Sequence, residues 1–481
     1  MPSIPSPHSP REKDLMNISF LRAPDTQDAR AKRLAATFYA YTFFDEFILL
    51  YPFYALLFVD TGLSTAEISS LLVIWSVTAI VTEVPSGVWA DVVSRRRLLA
   101  LAPLLAAAGF ALWVVAPSYW VFAAGFVLWG TSGALQSGAT EALVYTELDR
   151  LGAADRYAAI TGRAHAIATA AVMASMAVAA PLFALGGYPL VGAASVLSCV
   201  LATAVATTFP EHRERGGKTE EGEEETSPGG YAAILRDGLR EVRAGRSIRR
   251  ALLLVAVVTA LWGALEEYVP LLAVDTGVTE HVVPLLLLLV SAGTAIGGVL
   301  AATGRRFTDR KLAGILGFGA LALAVGAVSG LAVGFFVIAA AFCAFQMASV
   351  LTAVRLQQSI TGPARATVTS LAGLGVDVIA ILFYGGYAAA STVTGNSTIF
   401  AVSAVPYAVV ALVLFFGGFR SRRAAARTDL GGSRMEVNHT DLGGPQREAD
   451  HTDLSGSRME ADRTGFGDLR MEVNRTDPGG P

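Results

Sequence analysis

The chain has 481 residues, 53% hydrophobic and 16% charged, with a formal net charge of −3. Soluble proteins carry roughly a quarter charged residues, so this composition excludes an ordinary soluble globular protein. The near-neutral charge gives no footing for a nucleic-acid partner.

Residues 1–33 are polar and proline-rich, without the short apolar core and cleavage site of a signal peptide. After them the apolar residues arrive in blocks long enough to cross a bilayer as helix, about 20 residues each. With no water to satisfy backbone groups there, continuous apolar runs imply helix. Spans are predicted at 34–58, 67–90, 98–116, 120–146, 158–185, 189–209, 250–273, 282–303, 312–329, 333–354, 366–390 and 398–419. Cys199 and Cys343 both fall inside spans, so no disulfide framework is expected.

The connections alternate in charge. Arg95, Arg96 and Arg97, then Arg150 and Arg156, then Arg305, Arg306, Arg310 and Lys311, Arg365, and finally Arg420, Arg422 and Arg423 mark one side. The loops at 59–66, 117–119, 186–188, 274–281, 330–332 and 391–397 contain no Lys or Arg. By the positive-inside rule both termini are cytoplasmic and the span count is even.

The expected fold is therefore an all-α membrane protein of about twelve transmembrane helices in two pseudo-symmetric six-helix bundles, 34–209 and 250–419. The bundles echo each other. Val59-Asp-Thr-Gly-Leu-Ser recurs as Val274-Asp-Thr-Gly-Val-Thr, Asp45-Glu46-Phe47 as Glu266-Glu267-Tyr268, Pro52 as Pro270, and Arg95-Arg96 as Arg310-Lys311.

A cytoplasmic linker, 210–249, separates them. It opens with the acidic run Glu220 to Glu225 and continues from Tyr231 as an amphipathic helix, read as lying on the membrane surface, with partner binding as the alternative. Residues 420–481 form a polar tail with units of twelve residues starting at Thr428, Thr440, Thr452, Thr464 and Thr476, expected to be disordered and to reflect an expanded DNA repeat.

Ionisable residues at membrane depth are costly and so are informative. Asp45 and Glu46 on the first span, Glu83 on the second and Asp377 on the eleventh fall near the bilayer middle, with Glu266 and Glu267 on the seventh nearer the outside. Each could merely be hydrogen-bonded between helices. As a group they suit proton coupling, because dehydration disfavours the charged carboxylate. Gln136 and Gln346 sit at mid-depth as substrate hydrogen-bonders, and Glu141 with Arg163 is read as a structural ion pair. The first span is crowded with aromatics, Tyr41 and Tyr51 among them; most should pack, while those beside Asp45 and Glu46 would suit an aromatic or cationic ligand. Tyr41, Gln136, Glu266, Glu267 and Gln346 are the substrate-cavity candidates.

The loop Gly87-Val-Trp-Ala-Asp91-Val-Val-Ser-Arg95-Arg96-Arg97 resembles the signature loop of the major facilitator superfamily. That resemblance, spanning about residues 31–420, implies a secondary transporter with alternating access. It casts Gly87, Asp91, Arg95 and Arg96 as a conformational latch. Glu83-Val-Pro-Ser-Gly87 and Ser137-Gly-Ala-Thr-Glu141 look like a bacterial branch of permeases and drug exporters. Two features depart from the drug–proton antiporters of the superfamily: Trp129 stands where they usually carry an arginine, and Ala180-Pro181-Leu-Phe-Ala-Leu-Gly186-Gly187 fits their fifth-span motif poorly.

The implied role is proton-coupled efflux of small hydrophobic or cationic compounds by a monomer in a bacterial plasma membrane. The alternatives are a proton-coupled importer, or a receptor or scaffold that binds without flux. No metal-spaced cluster, Gly-x-Ser-x-Gly elbow or phosphate-binding loop is present, so no enzyme, cofactor or metal is expected.

Overall fold

A computed structural model describes residues 23–212, 246–302, 308–360 and 365–416. Residues 23–26, 84, 87, 88, 90–92, 246, 247 and 365–367 are described by backbone only. The Glu220 to Glu225 run, the helix expected from Tyr231, the second basic loop over 303–307 and the tail repeats lie outside the described residues.

Every regular element among the described residues is helical. In chain order they are α1 (Ala23–Glu46), α2 (Tyr54–Asp60), α3 (Thr65–Val92), α4 (Arg95–Val115), α5 (Tyr119–Arg150) and α6 (Tyr157–Ala206). After 213–245 come α7 (Arg246–Glu266), α8 (Val269–Asp275), α9 (Val283–Ala302), α10 (Asp309–Val328), α11 (Gly334–Ser359), α12 (Arg365–Ser391) and α13 (Asn396–Val402). A further helix follows at 404–416. Nine helical stretches among the described residues are long and apolar enough to cross a membrane.

Side-chain caps fix several starts. Ser64 and Glu67 form a reciprocal capping box at α3, Ser94 accepts from the Arg97 amide at α4, and Thr308 accepts from the Lys311 amide at α10. The last two open the repeated basic loops.

The helices follow the predicted spans closely, with two interruptions. The fifth and sixth predicted spans are two helices that meet at a kink at Gly187 (φ 58°, ψ −155°), labelled together as α6. The first and seventh predicted spans are interrupted, α1 stopping at Glu46 and α7 at Glu266. In both, helix resumes a few residues later around a proline, Pro52 or Pro270.

An interrupted backbone inside a membrane needs local partners. At the first break the Leu50 amide donates to Ser195 Oγ (3.0 Å), and Ser198 Oγ donates to the Phe44 carbonyl (2.7 Å). Both serines lie on α6, so one face of α6 serves the break. Ser195→Ala is expected to leave the buried Leu50 amide unpaired, costing about 1–3 kcal/mol. Thermal unfolding in detergent should show a lowered apparent Tm, with an unchanged Tm counting against this role.

The echoed sequences take up echoed structure. The short helices α2 and α8 each end on the repeated aspartate, followed by Thr and by a glycine at positive φ, Gly62 (94°) and Gly277 (78°). Each aspartate accepts a hydrogen bond from the start of a later helical segment: Asp60 from Tyr188 Oη (2.5 Å), and Asp275 from Asn396 Nδ2 (2.9 Å).

Within the N-terminal segment α4 packs on α5 and α6, and α1 packs on α6; in the C-terminal segment α9 and α10 pack on α11. The segments meet where α3 packs on α12 and α6 on α9. One large apolar core, including Phe53, Phe58, Trp113, Tyr268, Phe342 and Tyr407, runs through both.

Candidate functional site

The two interrupted helices face each other. Tyr51 at the first break and Tyr54 at the start of α2 lie opposite Glu266 and Glu267 at the second. Between them is a cavity of about 260 Å³, completed by Trp75 of α3, Trp129 of α5, Val172 and Met176 of α6, and Ser291 of α9. No Lys or Arg lines it.

The aromatic wall is ordered. Tyr51 stacks on Trp129 (centroids 5.3 Å, 25° between planes) and Trp129 stacks on Trp75 (5.1 Å, 24°). Stacked ring faces are electron-rich and attract cations. Two half-buried carboxyl groups stand across the cavity from them. Such an arrangement can hold an apolar body bearing a positive charge.

Polar contacts between the segments, among the described residues, cluster around this cavity and towards the end free of basic loops. Tyr54 Oη donates to Glu267 Oε2, and Tyr268 Oη donates to Ser69 Oγ (2.7 Å). Ser291 Oγ approaches Met176 Sδ (3.5 Å). The ion pairs described at the opposite, basic end all stay within one segment. The molecule is thus tied together across the segments on one side of the cavity.

Two of the sequence candidates meet directly. Gln136 Nε2 donates to Asp45 Oδ1 (3.2 Å) and also approaches Ser132 Oγ (3.3 Å), which itself donates to the Ala102 carbonyl (2.7 Å). This chain fixes Asp45 against α5. Glu46 ends α1 beside it. Glu83 is exposed on α3 and Asp377 half-buried on α12, on packed helices and near enough to interact electrostatically.

Other candidates are placed elsewhere. Tyr41 is 2% exposed, donates to the Leu99 carbonyl (3.3 Å) and packs on Phe209, so it is a core residue rather than a cavity one. Its side chain shares a helix face with Asp45 but is used up by α4. Gln346 is half-buried against Gly298 of α9 and does not reach the cavity. Glu141 and Arg163 are both exposed, and no ion pair between them occurs among the described residues.

At the basic end the loop before α4 is clasped by residues that follow α6. The Arg95 amide and Ser94 Oγ both donate to Glu211, and Arg96 Nη1 reaches the Phe209 carbonyl (3.5 Å). Arg95 Nη1 also donates to the Ala142 carbonyl (3.1 Å) and Thr146 Oγ1 (3.0 Å) of α5. Gly87 and Asp91 are described by backbone only, so the contacts of this part of the loop lie outside the described residues.

Sequence reasoning missed Trp75, Met176 and Ser291 as cavity residues, because a Trp, Met or Ser in an apolar span carries no sign of which face it uses. Trp129 was legible only as a departure from a family pattern. Among the described residues no group of three or more His, Cys, Asp or Glu is placed to hold a metal ion.

A family model described as Major Facilitator Superfamily matches residues 35–384, and the chain belongs to that family. A search of curated proteins finds no match. Among solved structures, one similar fold is that of a bacterial homolog to the human lysosomal transporter Spinster, inward-facing and unoccupied. Its TM-score is 0.58 at 15% identity, covering 82% of this chain and 97% of that one. The nucleoside transporter NupG aligns with TM-score 0.56 at 12% identity, over 79% of this chain and 98% of its own. An auto-inhibited POT family peptide transporter aligns with TM-score 0.58 at 14% identity, over 81% and 97%. At these identities the likeness is one of fold.

Proposed function

We propose that this superfamily member is a proton-coupled secondary transporter exporting small hydrophobic or cationic compounds by alternating access. The observation that carries the reading is the cavity itself, in which Glu266 and Glu267 face the Tyr51–Trp129–Trp75 stack at the junction of two interrupted helices. Discontinuous helices at corresponding places in two repeats are the usual position of a transporter's binding site.

In this reading twelve crossings form two six-helix bundles, 34–209 and 250–419, with 210–249 as linker and both termini cytoplasmic in a bacterial plasma membrane. The echoed short helices with their equivalent aspartate bonds support the duplication. The ties between segments on the side away from the basic loops support a rocking motion, with the present state open towards the cytoplasm. The inward-facing neighbour is consistent with that.

Asp45, Glu46, Glu83 and Asp377 carry protons, Asp45 being held by Gln136. Arg95 and Arg96, with Gly87 and Asp91, latch the basic end. A lipophilic cation binds against the stack, and protonation of the acids releases it.

Everted vesicles from a host lacking its own major efflux pumps test this. Respiration acidifies the lumen, a ΔpH dye reports it, and lipophilic cations are added. Gradient dissipation by at least one compound, lost in Glu46→Gln and Asp377→Asn variants, is the expected result. A folded, inserted protein that leaves the gradient untouched across the panel would overturn efflux in favour of import.

A further inference from the structure

A second cavity, of about 280 Å³, lies at the basic end of the N-terminal segment and shares no lining residue with the aromatic one. It is formed by residues 30–37 of α1, the last turn of α5 and the residues after α6. Arg30, Arg33, Arg150 and His212 contribute basic groups, Thr37 a hydroxyl, and Glu147 the one carboxylate.

That carboxylate is already spent. Glu147 is 3% exposed, accepts from the His212 amide (2.8 Å), contacts His212 Nδ1 (3.0 Å) and lies 3.6 Å from Arg150 Nε. The nearest other acid on α1, Asp28, is taken by Lys32 (2.8 Å) and Arg156. Those two partners hold the Asp28 carboxyl down, at about 2. Arg30 and Arg33 are exposed and have no carboxylate partner among the described residues. Three guanidiniums therefore converge on a cavity whose only acid is neutralised.

We infer that this cavity is an anion site for a phosphate group, with Arg30 and Arg33 as the ligand-facing cations and Thr37 as a hydroxyl donor. Guanidiniums bind phosphate oxygens through paired, charge-assisted hydrogen bonds. The cavity opens where the arginine-rich loops emerge, and basic pockets between helices at that depth suit the headgroup of an anionic phospholipid. A free phosphate would make the same contacts. A bound phosphate would bridge the middle of α1 to the ends of α5 and α6.

Native mass spectrometry of the full-length protein in neutral detergent tests this, with added phosphatidylglycerol or phosphatidylcholine of matched chain length. The wild type is expected to retain phosphatidylglycerol selectively. R30Q/R33Q should lower that retention about 30-fold, while the control R97Q/R163Q, equal in charge change and at residues that do not line the cavity, should not. R30K/R33K should keep most of it. Excess inorganic phosphate distinguishes the sources: displacement of the lipid shows a site that takes phosphate from either, and persistence shows one that requires the lipid headgroup. Equal retention of the two lipids by the wild type overturns the proposal without any variant, as does equal loss in R30Q/R33Q and the control.

Discussion

Replacing Glu267 with glutamine is expected to lower transport of a cationic substrate by about 10- to 100-fold, the loss that follows from removing one charged hydrogen-bonding partner. The substitution is nearly isosteric, and its amide oxygen still accepts the Tyr54 phenol across the two segments. The tie between the segments therefore survives while the negative charge in the cavity is removed. Tyr54→Phe does the reverse: the carboxylate stays and its donor is lost. That variant should keep substrate binding but lower the apparent Tm, since one of the bonds holding the segments together is gone. Binding of a fluorescent lipophilic cation to purified protein, together with vesicle flux, separates the two. Unchanged affinity in Glu267→Gln would remove this carboxylate from the substrate site, leaving Glu266 as its only acid.

The second large effect concerns packing. Gly293 and Gly297, one turn apart on α9, let that helix lie directly on α11. A Cβ at Gly293 would sit 2.3 Å from the Ala339 carbonyl oxygen, and one at Gly297 would sit 2.2 Å from that of Cys343. Neither neighbour is a side chain able to turn away. Small residues at such crossings bring backbones together where lipid supplies no hydrophobic drive. Gly297→Leu must push the helices apart and should cost about 3 kcal/mol or more, at the upper end of overpacking penalties. The adjacent Gly298 is the control, because a Cβ there meets only Gln346 Nε2, at 3.9 Å. Gly298→Ala should be neutral to within about 1 kcal/mol. Apparent Tm in detergent, measured side by side, reads the difference; similar values for both would deny the close approach. Because α9 also packs on α6 of the other segment, Gly297→Leu should impair flux as well as stability.

The course of the helices was legible because it depends on hydropathy along the chain, which is local. Blocks of apolar residues placed span starts at 67, 98 and 312, two or three residues inside the helices that Ser64, Ser94 and Thr308 cap. The interruptions at Glu46 and Glu266 were less visible, since the apolar run continues across them. Their proline signals are local, but the serines that make the first break tolerable, Ser195 and Ser198, lie 145 and 154 residues from the groups they satisfy. The pairing of Asp45 with Gln136 joined two residues chosen independently as polar groups at membrane depth. Polarity told that each needed a partner and left the choice of partner to the fold. Tyr41 misled because a phenol on the same face as Asp45 resembles a ligand contact, and only the position of Leu99 shows where its hydroxyl goes.

By itself, then, the amino-acid order determined what a bilayer enforces: helical spans, the alternation of basic and uncharged loops, the duplicated motifs and the membership that the signature loop implied. These follow from transfer of each residue between water and lipid, which neighbours distant in sequence barely alter. The tertiary structure alone decided which face each span turns inward, and hence that Tyr51, Trp129 and Trp75 stack opposite Glu266 and Glu267. It likewise decided that Arg30 and Arg33 close on a cavity shared with α5. A helix in lipid is apolar nearly all round, so its pattern does not encode rotation about its own axis. Rotation is set by packing against other helices, through contacts such as Gly297 on Cys343, that exist only once the chain has folded.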